Sequence, residues 1–458
     1  MNGENRHVPL HRVDKYLLRV DCRETPMHTA SLNVYRLPPG APCDFMRRLL
    51  QDLQGQPVTA APFNYRLTTQ RRSRVWEVLD PGAVDLGYHV RHSAVPQPGT
   101  NEQLAALIAR LHSNPLDYSR PLWEFHLIEG LASGRFASYL KMHHALADGG
   151  AVIKLITGVM STDPHDKSSP PPWATAAPLR DAAPTPAAAR HGRDTHATAR
   201  ATLLGTLWRT AKAYYAHSDR GLIAPYSAPR SIINGPVGKA RRYAICGFDL
   251  QRIKALGGAA GCTVNDVLLT MAAGALRRYL LDHDALPARS LHAMVPVALP
   301  REPGDTLGND VAGIYVALGT EIADVKARLA VIQESAAKGK EVLLAMRTEN
   351  IRRFINIIGT QLAYDQMHAI GNPPHLMYNL LVSNVPGPRE TLYFHGAQVE
   401  ALYPCSVLFQ GYPLNITARG YGNRINVGIV GACGSLPDFE RIAPCLEEAL
   451  TELEETFR

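Results

Sequence analysis

The sequence predicts an α/β protein with α+β layers, built as two large domains, and three observations carry that expectation. At 458 residues the chain exceeds one compact core, since domains usually run ~100 to 200 residues. A proline-rich seam near residue 162 divides it roughly 160 to 270. Strand-like and helix-like patterns occur on both sides of that seam, which favours mixed layers over an all-helical or all-β fold. A hydrophobic share of 46% with 19% charged residues is ordinary globular composition and excludes a disordered or collagen-like chain.

Residues 135–142 are apolar and partly alternating, as a strand requires, and 150–160 carry a helical pattern. The His143-His144-Ala145-Leu146-Ala147-Asp148-Gly149 segment between them is therefore a strand-to-helix loop. Residues 162–186 hold seven prolines in 25 positions, too few backbone donors for a ladder or helix, so an extended linker is expected. In 199–217, Leu203, Leu204, Leu207, Trp208, Ala211, Tyr214 and Tyr215 fall at helical spacing, with Arg200, Arg209 and Lys212 supplying a basic character. From Thr263, the residues Val264, Val267, Leu268, Met271, Ala275, Leu276 and Tyr279 recur at period 3.6 and predict a strong helix.

Further on, Leu307-Gly308-Asn309-Asp310 reads as a turn before an apolar strand over 311–318, and 351–370 reads as an amphipathic helix. Residues 376–382 read as a buried strand, ended where Pro386 and Pro388 cannot continue a ladder. Residues 414–418 and 425–430, separated by Arg419-Gly420-Tyr421-Gly422-Asn423-Arg424, read as a β-hairpin. No repeat of solenoid or propeller length is visible. The expected organisation is an N-terminal domain over 1–161, a linker over 162–198 and a C-terminal domain over 199–458.

Charge narrows the partners. The whole chain carries +7, but 186–245 hold ten Lys/Arg against two Asp, a balance of +8, so the remainder sums to −1. Two near-neutral domains joined by one basic region are expected, and that region suits phosphates of a ligand or a lipid surface. Seven cysteines, odd in number and never arranged as CxxC, argue against a disulfide framework or a zinc knuckle and point to a reducing cytoplasm. The polar N-terminal stretch has no signal-peptide character. The most apolar segment, 264–281, carries Asn265, Asp266, Arg277 and Arg278, so membrane contact is expected to be peripheral.

The histidine-rich loop is the most informative heptad. A neutral imidazole can accept a proton from an alcohol near neutral pH, so one histidine is a candidate general base; a pair of satisfied histidines beside an Asp-Gly turn is the competing reading. Metal binding by His143, His144 and Asp148 is disfavoured, because adjacent histidines seldom converge on one ion and no HExxH or Cys/His cluster is present. No GxSxG elbow anchors a serine hydrolase. Gly235-Pro236-Val237-Gly238-Lys239 has the wrong spacing for a phosphate-binding loop and lacks its hydroxyl residue.

The heptad resembles the HHxxxDG motif of the CoA-dependent acyltransferase superfamily. Together with Pro26-Met27-His28, Pro121-Leu122-Trp123-Glu124 and Ser383-Asn384-Val385-Pro386-Gly387-Pro388, it resembles the bacterial wax ester synthase/diacylglycerol acyltransferase family over essentially the whole chain. That resemblance implies two chloramphenicol-acetyltransferase-like domains, each a mixed sheet flanked by helices, with a tunnel at their interface. It implies His144 as general base, His143 as its support, and Asp148 holding the loop by pairing with an arginine. Gly149 would permit the tight exit into the helix. The implied reaction moves a long-chain acyl group from acyl-CoA to diacylglycerol or a fatty alcohol without an acyl-enzyme.

Asn265 and Asp266 correspond to a family Asn-Asp pair. Asp266 is explained locally as the third-position partner of Thr263 in a capping box, which leaves Asn265 as the candidate substrate-binding residue. Ser383 and Asn384 are candidates for the CoA side, with a proline-enforced turn as the alternative. Trp123 is a candidate channel residue, with a plain core role as the alternative. Gly150-Ala151 stand where the family often has a small hydroxyl residue. No cofactor is implied, since acyl-CoA is a substrate, and no metal or nucleic acid. A cytoplasmic enzyme, peripheral at the inner membrane face or on lipid droplets, is expected. A condensation-type domain using carrier-protein thioesters and a non-catalytic lipid-surface protein are the alternatives.

Overall fold

The computed structural model describes residues 7–175, 222–298, 311–345, 360 and 362–458. The chain forms two compact units, one gathering Met1–Leu179, Pro236–Arg252 and Ser383–Ala443, the other Arg180–Gly235, Ile253–Val382 and Pro444–Arg458. The seam therefore does not separate contiguous domains. Strands from the last hundred residues belong to the first unit, because a sheet is completed by hydrogen-bonding register rather than by sequence proximity.

In the first unit β1 (His7–Pro9), β4 (Ser73–Val78) and β3 (Tyr65–Gln70) make a small antiparallel sheet, and helix α1 (Arg12–Val20) follows β1. The main sheet has six strands in the order β12 (Tyr393–Phe394), β13 (Ala397–Cys405), β2 (His28–Arg36), β7 (Arg135–His143), β6 (Trp123–Leu131) and β5 (Val90–Ala94). It is mixed, since β5 runs parallel to β6 while the other pairs are antiparallel. β2 is buried along almost its whole length, as expected of a strand paired on both edges and covered on both faces.

Alternation on β2 sends Ala30, Leu32 and Val34 to one face, where they join Leu104, Leu107 and Ile108 of α4 (Asn101–Ser113) in one core cluster. Thr100 and Gln103 start α4 with a capping box that satisfies donors at its N-terminus. Helices α2 (Phe45–Gly55), α3 (Leu86–His89) and α5 (Gly149–Thr157) complete this region of the unit. Its remaining strands, β14 (Leu414–Tyr421), β15 (Arg424–Ala432) and β8 (Arg241–Asp249), form an antiparallel run in that order. The expected hairpin is present as β14 and β15, turning at Gly422-Asn423.

The second unit holds β10 (Val311–Ala317) antiparallel to β9 (His292–Ala298), with the first residues of β11 (Leu380–Val385) parallel to β9. Its long helix Val264–Asp282 is buried nearly throughout, and Gly274 lies where a Cβ would come within 2.9 Å of the Ala449 Cβ on the C-terminal helix Ile442–Thr456. The bare glycine lets the two helices approach. Helix Val325–Ala345 buries Arg328, which donates to the carbonyls of Ile322 and Ala323.

Several expectations shift. β11 begins at Leu380 rather than 376, directly after Asn379, whose side chain bonds Pro229, Asn234 and His292 and whose main-chain N–H already donates to the His292 carbonyl at 2.7 Å. The start of the expected linker packs onto the first unit: Trp173 is fully buried, its carbonyl accepts from Thr59 and Ala60, and its indole N–H donates to Gln56. Indole burial outweighs the local backbone preference of the Pro170-Pro171-Pro172 run. The rest of that linker, the basic helix over 199–217 with Arg200, Trp208, Arg209 and Lys212, the Leu307–Asp310 turn and most of the 351–370 helix lie outside the described residues. None of the seven cysteines is in a disulfide. Among the described residues no single helix is long and apolar enough to cross a membrane.

Candidate active site

The histidine loop leaves β7 at His143, and strand pairing decides what surrounds it. The β2–β7 register sets His28 directly opposite His143. The main-chain N–H of His143 donates to Leu122 at 2.9 Å, and that of His144 donates to Met27 at 2.8 Å. The Pro26-Met27-His28 and Pro121-Leu122-Trp123 segments are thus the two clamps on the backbone of the histidine pair. The carbonyl of His143 accepts from Leu146 at 2.9 Å and closes the loop as a turn.

His143 is locked. Its Nδ1 accepts the main-chain N–H of Ala145 at 3.0 Å, so the ring proton sits on Nε2, which donates to the Tyr118 hydroxyl at 3.2 Å. Tyr118 in turn donates to Asp21 Oδ2 at 2.6 Å, and Asp21 also accepts the main-chain N–H of Met27. Burial and the neighbouring His144 push the His143 pKa down to about 3. A ring with both nitrogens engaged and so low a pKa is a fixed neutral strut. Tyr118 and Asp21 are not legible as site residues in the sequence; the only hint is their nearness to the Pro-Leu-Trp and Pro-Met-His segments.

His144 differs in each respect. It is half-buried, and its buried Nδ1 has no hydrogen-bond partner of normal geometry. Burial lowers its pKa, while the Asp148 carboxylate, the residue's own main-chain carbonyl and Asp14 pull the other way. The balance keeps the imidazole neutral near pH 7, yet two carboxylates stand ready to favour the imidazolium. Asp14 lies on α1, is 1% exposed and caps its own helix start at His11. Sequence reasoning misses it, because an acid in a first helical turn reads as an ordinary capping residue.

Asp148 is the N-cap of α5: its Oδ1 accepts the Ala151 N–H at 2.6 Å. Among the described residues no arginine pairs with it, so helix capping takes the place of the expected ion pair. Gly149 opens α5 without a positive φ, and a Cβ there would meet only Thr29 Oγ1 at an ordinary 3.7 Å. The expected conformational reason for that glycine is absent.

Trp123 is core. It is fully buried, donates to the Phe63 carbonyl at 2.8 Å, and stacks on His89 at 4.4 Å and Trp173 at 5.4 Å between ring centroids. Every face is taken by protein, which overturns a channel role. Asn265 belongs to the second unit, half-buried in the first turn of its helix. The capping box is observed there, with Thr263 Oγ1 accepting the Asp266 N–H at 3.2 Å and Asp266 Oδ2 accepting the Thr263 N–H at 2.9 Å. A cleft of about 990 Å³ opens beside this helix start, lined by Lys254, Thr263, Val264, Asp266 and Lys340 but not by Asn265.

Ser383 and Asn384 are half-buried near the end of β11. The turn that follows is tightly built: a Cβ on Gly387 would fall 1.8 Å from the Gly420 carbonyl oxygen, and the Pro388 carbonyl accepts the Gly422 N–H at 3.0 Å. Only glycine fits where the two backbones meet.

Residues 10–268 match the family model described as wax ester synthase/diacylglycerol acyltransferase catalytic domain, and 307–454 match the WS/DGAT C-terminal domain. The O-acyltransferase WSD of Acinetobacter baylyi is 33% identical over 453 residues, covering 96% of each chain. The solved wax ester synthase/diacylglycerol acyltransferase from Marinobacter aquaeolei is 32% identical with a TM-score of 0.76, covering 98% of this chain and 100% of that one. The first condensation domain of the calcium-dependent antibiotic synthetase, at 15% identity and TM-score 0.58, shares the fold alone. The chain is an O-acyltransferase and belongs to the wax ester synthase/diacylglycerol acyltransferase family.

Proposed function

We propose that the chain transfers a long-chain acyl group from acyl-CoA to the hydroxyl of diacylglycerol or a long-chain alcohol, with His144 as general base. The observation that carries this reading is the contrast between the two histidines. His143 has both ring nitrogens engaged in fixed hydrogen bonds, whereas His144 is neutral, half-buried and under the field of Asp148 and Asp14.

With Nδ1 buried, His144 offers Nε2 to the acceptor hydroxyl. The hydroxyl oxygen attacks the thioester carbonyl as its proton passes to Nε2. The tetrahedral intermediate then collapses, the C–S bond breaks, and the CoA thiolate takes the proton from the imidazolium. Ester and free CoA leave, and the ring is neutral again. Asp148 and Asp14 stabilise the imidazolium through space and take no proton. Acceptors of this class sit in lipid, so a peripheral location at a membrane or droplet surface suits the enzyme.

The test is CoA release from palmitoyl-CoA supplied with equal hexadecanol and diacylglycerol, with both esters quantified. Ester formation matched by CoA release is the expected result. Turnover only of an acyl group held on a phosphopantetheinylated carrier protein would reject the acyl-CoA reading.

A further inference from the structure

Arg419, on β14 in the first unit, is fully buried and has no acidic partner among the described residues. Its Nη1 donates to Ser31 Oγ at a long 3.3 Å, while Nε and Nη2 are buried without any hydrogen-bond partner. Burial lowers its pKa to about 9, with Tyr35 acting weakly in the opposite direction. Asn426 of β15 stands directly opposite Arg419 in the hairpin register, so the two side chains share a face. It too is fully buried, with neither Nδ2 nor Oδ1 satisfied.

The surrounding side chains are polar on one side and aromatic on the other. Ser31 Oγ donates to Asn33, whose amide donates to Ser138, and Ser138 contacts the Tyr35 hydroxyl at 2.9 Å. Tyr35 stacks on Phe136 at 4.9 Å and meets Phe394 at 5.8 Å. The guanidinium also lies beside the proline-rich turn, 3.8 Å from where a Gly387 Cβ would stand. A buried arginine with two idle nitrogens, on the same sheet face as an idle carboxamide, is costly unless something completes it.

We infer that Arg419 and Asn426 form a receiving site for the carboxylate of a fatty-acid anion. A planar guanidinium fork matches a carboxylate in bidentate fashion. One isolated positive charge neutralises a monoanion and would leave a phosphate dianion in excess. The aromatic neighbours suit an alkyl chain better than a hydrated inorganic ion. Ser31 lies three residues along β2 from His28, roughly 10 Å from the histidine pair at strand rise, within reach of one medium acyl chain. The site is distinct from His144 and does not depend on that residue's role.

Thermal unfolding of the full chain decides the matter, with decanoate, decanol and inorganic phosphate as probes. Decanoate raises the wild-type Tm with concentration and more than decanol does, and this excess vanishes in Arg419→Met. Without any carboxylate, Arg419→Met unfolds at a higher temperature than wild type, because an uncompensated charge has been replaced by an apolar chain. Equal shifts by decanoate and decanol in the wild type would overturn the inference, a comparison that stands even if the variant does not fold. So would a phosphate shift as large as that of decanoate, or an Arg419→Met protein less stable than wild type in carboxylate-free buffer.

Discussion

His143 donates through Nε2 to the hydroxyl of Tyr118, 3.2 Å away, and that hydroxyl passes its own hydrogen bond to Asp21. The chain of three residues fixes the ring from the side opposite the Ala145 N–H. Replacing Tyr118 by Phe leaves the buried imidazole N–H of His143 unpaired and takes from Asp21 Oδ2 its hydroxyl donor, while Oδ1 keeps the Met27 N–H. The variant should lose about 1–3 kcal/mol of stability. Steady-state kinetics should show kcat falling with KM nearly unchanged, since the loop is loosened while substrate contacts stay.

Asp148 has two separable duties, the cap of α5 and a charge near His144. Asn retains the cap but not the charge, and Ala retains neither. Asp148→Asn should therefore keep its melting temperature, whereas Asp148→Ala loses about 1 kcal/mol. The wild-type acid limb of kcat/KM should lie below 6.5, the ordinary histidine value, because burial lowers the His144 pKa. Both Asp148→Asn and Asp14→Asn should shift that limb further down, since each removes a charge that raises the pKa.

Two glycines at family motifs should respond oppositely to alanine. At Gly387 a Cβ would collide with the Gly420 backbone, so Gly387→Ala should cost about 1–3 kcal/mol or more in denaturant unfolding. At Gly149 the Cβ fits against Thr29, and the variant should stay within about 0.5 kcal/mol of wild type.

Buried histidines set the acid side of the stability curve. Burial lowers the pKa of His112 and His143 to about 3 and of His89 and His292 to about 4. In the unfolded chain each returns to about 6.5, so below that pH the unfolded state binds more protons. Stability is whole above pH 6.5 and should decline steadily as pH falls towards 4, by up to about 1.4 kcal/mol per histidine per pH unit. Urea midpoints across that range, with an unchanged slope, check it.

Local pattern makes much of this molecule legible. The helix from Thr263, the hairpin around Gly422 and the strand–loop–helix around the histidine pair all follow from periodicity, caps and turn residues, which act within a few positions. What escapes depends on tertiary register. That Met27 and Leu122 hold the two histidine amides, that β13 closes beside β2, and that the charge of Asp14 acts on His144 are outcomes of how distant segments come together. The family resemblance implies Asp148 as an arginine partner although its donor lies three residues ahead, and Trp123 reads as a candidate channel residue although Trp173 covers it. Arg419 gives no signal at all, lying inside what reads as a hairpin connection, because β14 runs on to Tyr421.

The most direct measurement of the central claim is the rate of CoA release by His144→Ala with palmitoyl-CoA and hexadecanol or diacylglycerol, alongside its thermal unfolding. The account predicts a wild-type melting profile with the rate reduced on the order of 100- to 10,000-fold. Wild-type turnover in a folded His144→Ala protein would contradict it.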